Sequence, residues 1–114
     1  MQAIKLPNPQ SIYIDDRKLL GYSLNYEHVD GKHKARVFES ALGINQSNYT
    51  VLKEAIRDAV FTNFAIFEKE NNFGKLYRLD FRMTYGGKEA TVRTGWVILQ
   101  GEDFARLTTC FIKT

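Results

Sequence analysis

The sequence predicts an α+β domain in which helices from the first half pack on an antiparallel sheet made by the second. Residues 51–60 set Val51, Leu52, Ala55, Ile56, Ala59 and Val60 at the three-to-four spacing of one helix face. Residues 77–85 alternate instead, with Tyr77, Leu79, Phe81, Met83 and Tyr85 set against Arg78, Asp80, Arg82 and Thr84, the period of a strand with one apolar face. The helical patterns come first and the strands then follow one another through short glycine turns. That order gives a meander rather than the alternating units of a doubly wound sheet.

Both prolines, Pro7 and Pro9, fall in residues 1–14, where a fixed φ and missing N–H groups favour an extended arm. The arm reads as an edge strand or a lead-in, with Ile12 and Ile14 alternating onto the core. Asp15 or Asp16 can cap a short helix reaching about Leu24, with Leu19 and Leu20 on its apolar side and Gly21 weakening it. Residues 25–31 are rich in turn formers and predict a loop, whose Asp30 can cap a helix running to Ala41 or Leu42 and ending at Gly43. Ser47 or Asn48 opens the clearest helix, with Lys53, Glu54, Arg57 and Asp58 on its wet side, so residues 15–62 form a helical half. Residues 65–112 hold four strands, at about 65–69, 77–85, 89–99 and 106–112, with Asn71–Gly74, Gly86-Gly87 and Gly101–Asp103 as the turns.

A chain of 114 residues has the length of one domain, so residues 1–114 are read as a single unit. No stretch approaches the roughly 18 consecutive apolar residues of a membrane span, and the start lacks the apolar segment of a secretory signal. A soluble chain with no membrane partner is therefore expected. The lone Cys110 lies in an apolar run, excludes an internal disulfide or a cysteine-rich zinc site, and is read as a buried small residue. The net charge of +3 tilts the partner toward a polyanion or an acidic protein. Lys32, His33, Lys34 and Arg36 crowd together, while Arg78, Arg82, Lys88, Arg93 and Arg106 recur through the strand-rich half.

In the segment Gly31–Phe38, stepping about 100° per residue puts Val37, Phe38, Ala41 and Leu42 on an apolar stripe, with Lys34 near its middle. The stem of Lys34 can cross the apolar edge and bring its ammonium to the end of the sheet. Free N–H groups and the helix dipole make the same turn an anion site, with phosphate the natural anion. The plainer reading is a solvated basic helix start. His28 and His33 flank this turn, and either could move a proton near neutral pH. The plainer reading makes each a surface residue or one bonded to backbone. Neither the histidines nor the scattered carboxylates have the spacing of a zinc site or of a two-metal cluster. Phosphodiester chemistry here is accordingly expected to be metal-free and to need no cofactor. RNA brings its own nucleophile, the 2′-hydroxyl, so the protein need supply only a base, an acid and cations.

A second cluster runs Thr91-Val-Arg-Thr-Gly-Trp96, with Arg106-Leu-Thr-Thr109 on the next strand. Thr94 and Trp96 share one strand face and Arg93 takes the other. Hydroxyl, guanidinium and indole suit phosphate and base contacts. The plainer reading is a core tryptophan with cross-strand threonine pairs. The chain holds no nucleophile elbow, Walker loop or dinucleotide fingerprint.

Leu24, Asn25, His28, Gly31, Lys34, Ala35 and Phe38, then Val92, Arg93, Thr94 and Trp96, then Arg106, Leu107 and Thr109 together resemble the pattern of a small family of bacterial toxin-associated domains, over about residues 15–112. More distantly, His33-Lys34-Ala35-Arg36-Val37-Phe38 and Thr94-Gly95-Trp96 resemble the helix start and the Ser-Gly-Trp strand of the colicin D nuclease domain. That domain is grouped with barnase, EndoU and RelE among metal-independent ribonucleases. Aligned on Ala35 and Phe38, the colicin histidine falls on Lys34 and its lysine on His33, so which residue is the acid or base stays open.

The resemblance implies a barnase/colicin D-like fold and a ribonuclease toxin cutting tRNA near the anticodon to leave a 2′,3′-cyclic phosphate. His28 or His33 would transfer the proton. Lys34, Arg36 and Arg93 would hold the phosphate, with Lys32 and Arg106 adding charge, and Thr94 and Thr109 would donate hydrogen bonds to it. Trp96 would bound the nucleotide pocket or support it. Such a toxin acts in the cytoplasm, is a monomer when free, and needs a cognate antitoxin or immunity protein, expected to be acidic. The rival expectation is a binding module without turnover, an antitoxin, inhibitor or phage decoy that turns a basic face to an acidic protein or nucleic acid.

Overall fold

Helices lie on one face of a five-stranded antiparallel sheet with strand order β1-β2-β3-β4-β5 in the computed structural model, which describes residues 3–114. The strands are β1 (Ala3–Ile4), β2 (Ala65–Glu70), β3 (Gly74–Tyr85), β4 (Lys88–Leu99) and β5 (Arg106–Ile112). The expected count of four is corrected by β1, which pairs antiparallel with β2 through Ala3–Ile66 and Ile4–Ala65. Residues 1 and 2 of the expected arm lie outside the described residues. Past β1 the arm crosses to the opposite edge of the sheet, where Tyr13 bridges Arg106 of β5 in parallel. Tyr13 N–H donates to the Ala105 carbonyl and Leu107 N–H donates to the Tyr13 carbonyl, both at 2.9 Å. The crossing buries Leu6, Ile12 and Ile14.

Alternation along β3 and β4 sends Tyr77, Leu79, Phe81 and Met83, with Ala90, Val92, Thr94 and Trp96, into the core beneath the helices. Leu52, Ile56, Ala59 and Val60 of α3 (Tyr49–Thr62) and Ala35, Phe38 and Leu42 of α2 (Lys32–Leu42) cover them. The other face is open and carries cross-strand ion pairs, Arg93 with Asp80 at 2.9 Å and Arg78 with Glu68 at 3.5 Å among them.

Asp15 caps α1 (Asp16–Lys18) by accepting the Arg17 N–H, as expected. The coil then widens to a π-turn over Leu19–Ser23, in which Leu24 N–H reaches the Leu19 carbonyl at 2.8 Å. The five-residue step buries both Leu19 and Leu24. Asp30 does not cap α2, whose N-cap is Gly31. His28 takes that place, its Nδ1 accepting from the amides of Asp30 and Gly31 at 3.0 Å each. Gly31 is needed there because a Cβ would stand 2.1 Å from the Tyr22 carbonyl oxygen. The helix start therefore packs directly on the π-turn.

Candidate functional site at the β5 edge

Where β4 meets β5 the ladder slips. Gly95 opposes Thr109 but Trp96 opposes Leu107, leaving Thr108 as an extra residue. Such a bulge sets neighbouring side chains on one side of the strand, and a Cβ on Gly95 would meet both Thr108 Oγ1 and Thr109 Cγ2 at 2.9 Å. The π-turn lies alongside, fixed by Ser23 Oγ donating to the Cys110 carbonyl at 2.7 Å. Tyr22 is thereby held against the bulge. Asp15, Arg17, Lys18, Tyr22, Thr108 and Thr109 line a cleft of about 520 Å³.

Lys34 reaches this edge from α2, its stem half-buried and its ammonium donating to the Tyr22 hydroxyl at 2.7 Å. The same nitrogen lies 4.5 Å from the centre of the Tyr22 ring and 5.7 Å from that of Phe111. Neither Lys34 nor Lys18 forms an ion pair among the described residues. Arg17 does, gripping Asp15 and holding its carboxyl down at about 2 through that hydrogen bond. The Tyr22 oxygen accepts from the ammonium and so keeps its own proton to donate. Two unneutralised lysines, a phenol and a pair of threonine hydroxyls make an anion-binding arrangement.

The side chains expected from the sequence divide. Lys34 stands by Tyr22 and Phe111 at this edge, and Thr109 lines the cleft beside Tyr22. His28 stands edge-on to Tyr22 with ring centres 4.8 Å apart, but its Nδ1 lone pair is committed to backbone amides, so Nε2 carries the proton in that geometry. His33 and Arg36 are exposed, and Lys32 half-buried, and none of the three makes a side-chain hydrogen bond among the described residues. Arg93 is spent on a bidentate bond to Asp80, raising its own pKa and lowering that of Asp80. Arg106 is spent on Glu102 and packs over the rings of Tyr13 and Phe104.

For Thr94 and Trp96 the geometry is that of the plainer reading, a core tryptophan with a structural threonine. Both are fully buried, Thr94 Oγ1 donating to the Leu79 carbonyl and accepting from Trp96 Nε1, each at 2.7 Å. They hold the core, and the residue of that motif which faces the open side is Gly95. Cys110 is buried as expected, and burial pushes its thiol pKa up.

Sequence reasoning missed Arg17, Lys18, Tyr22 and Thr108. A signal for the bulge was present, since the inward residues of β5 are Leu107, Cys110 and Ile112, a three-residue step followed by a two-residue one. The Tyr13–Arg106 bridge, which brings residues 15–22 to β5, leaves no local mark. Among the described residues no three of His, Cys, Asp and Glu converge as metal ligands. No described helix is long and apolar enough to cross a membrane, which says nothing of a β-barrel.

The profile of the family described as Domain of unknown function (DUF6883) matches residues 5–114, and the chain belongs to that family. No curated protein and no solved structure matches it.

Proposed function

We propose that this DUF6883 domain is a metal-independent ribonuclease toxin domain that seats an RNA phosphodiester at the β5 edge. Its target is tRNA near the anticodon, and the cut leaves a 2′,3′-cyclic phosphate. The observation that carries the reading is the half-buried Lys34 ammonium, which has no carboxylate partner among the described residues and is bonded to Tyr22, a phenol that lines a cleft together with two threonines. A buried-stem cation left unneutralised favours an incoming anion. In this role Lys34 and Lys18 face the negative charge that grows on the non-bridging phosphoryl oxygens as the 2′-hydroxyl attacks and gives up its proton to water, and Tyr22 gives its proton to the departing 5′-oxygen and regains one from solvent. His28 orients Tyr22.

The resemblance to the colicin D and barnase group enters as part of the same proposal, in fold as well as chemistry. So does the setting, a toxin acting in the cytoplasm, monomeric when free and restrained by an acidic antitoxin or immunity protein that covers Lys18 and Lys34.

A second reading is favoured by one specific observation. The Nδ1 of His28 is committed to backbone, and His33 is exposed with no hydrogen-bond partner among the described residues, so neither histidine is held against the cleft as a base. That suits a module which binds nucleic acid or an acidic protein without turnover. Total RNA incubated with the purified domain, with and without EDTA, and end-mapped on gels separates the two. Discrete tRNA fragments formed in EDTA, reduced on the order of 10–100-fold in Lys34→Met and Tyr22→Phe by loss of charge-assisted bonds, support the nuclease. RNA left intact by a folded domain overturns it in favour of the binder.

A further inference from the structure

On the open face of the sheet a second hollow of about 220 Å³ lies beside the first, lined by Glu68, Arg78, Arg93, Thr94, Gly95, Thr109 and Phe111. Thr109 lines both, and Phe111, opposite Arg93 in the ladder, also stands against the Lys34 ammonium. The two hollows thus meet at the β5 edge. What keeps the second one open is Gly95. It is the only glycine in the inner length of β4, and any side chain there would collide with the two threonines of the bulge. The chemistry differs from that of the first cleft. Here an aromatic ring borders a carboxylate and guanidinium groups, and the Arg78–Glu68 pair is stretched to 3.5 Å with both side chains partly exposed. Glu68 can accept and Arg78 can donate within one small hollow, next to an aromatic surface. A planar heterocycle with donors and acceptors along its edge meets all three requirements.

We infer that this hollow is a nucleobase subsite, taking the base of a nucleotide whose phosphate sits at Lys34 and Tyr22. The inference rests on the phosphate reading of the first cleft and adds to it a base-contacting set, Glu68, Arg78 and Phe111, with Gly95 as the residue that admits the ring. Sequence expectation put base recognition on Trp96, which is buried.

Titration calorimetry with inorganic phosphate and with the four ribonucleoside 3′-monophosphates tests it. The expected result is that at least one nucleotide binds about tenfold or more tightly than phosphate, the size of a base-stacking contribution. Glu68→Ala, an exposed change, should bring that nucleotide down to the affinity of phosphate while leaving phosphate itself unchanged, and Lys34→Met should weaken both. No nucleotide binding tighter than phosphate, or nucleotide affinity untouched by Glu68→Ala, overturns the subsite. Nucleotide affinity that depends on Glu68 but not on Lys34 keeps the subsite and overturns the phosphate reading instead.

Discussion

Replacing Thr94 with valine separates a catalytic hydroxyl from a structural one. Valine has nearly the same shape, so the change removes little but the Oγ1 that donates to the Leu79 carbonyl and accepts from Trp96 Nε1 at 2.7 Å. Both partners lie in a core from which water is excluded, and Trp96 is fully buried. An indole N–H left without an acceptor costs about 1–3 kcal/mol, and the lost bond to Leu79 adds to it. Thr94→Val should therefore destabilise the fold by about 2–3 kcal/mol, lowering Tm by roughly 10 °C. Urea unfolding followed by the fluorescence of Trp96, the sole tryptophan, reads this as a lower midpoint at unchanged slope. Under the proposed nuclease reading, RNA cleavage at a temperature where the variant is fully folded should match wild type. Stability within about 0.5 kcal/mol of wild type, the ordinary range for substitutions away from such features, would refute the reasoning. So would lost cleavage in the folded variant, since Thr94 would then touch substrate.

The two histidines should behave oppositely: His28→Ala loses the acceptor for two amides and the edge contact with Tyr22, lowering stability by about 1–2 kcal/mol and weakening phosphate binding, with partial rescue in His28→Asn, whereas His33→Ala should leave both unchanged by denaturation and calorimetry. The Asp80–Arg93 pair sets an acid limb to stability. The Arg93 guanidinium lowers the Asp80 pKa, so its contribution is present above the ordinary carboxylate range and is lost as pH falls through the folded value. The stability gap between wild type and Asp80→Asn, followed by urea midpoints, should accordingly be widest near neutral pH and close below about pH 4.

The sheet was legible because its faces differ. Tyr77, Leu79, Phe81 and Met83 go inward while Arg78, Asp80 and Arg82 go outward, so the two-residue period survives in the sequence. The α3 stripe was legible for the same reason. β1 was not, since a two-residue strand has no period and takes its identity from β2, which lies far along the chain. At the site, Lys34 stood out because a lysine within an apolar stripe is a local anomaly. Tyr22 did not, because its importance comes from the π-turn and from a strand more than eighty residues away, joined by the Ser23–Cys110 bond. Thr94 misled because a hydroxyl beside an indole reads alike whether it faces substrate or core, and only the register decides.

The route of the N-terminal arm has a bearing on when the site comes into being. It runs from one edge of the sheet to the other and meets β5, the fifth strand in chain order, at Tyr13 and Arg106. The first cleft combines Asp15, Arg17, Lys18 and Tyr22 with Thr108 and Thr109, so its walls come from segments far apart in the sequence. Contacts of such wide sequence separation form late, because loop-closure entropy must be met before they stabilise anything. A nascent chain whose β5 is still inside the ribosome has Lys34 but no bulge for it to face. The cleft therefore forms only once β5 has joined the sheet, and a copy cut short before residue 106 lacks the threonines that line it.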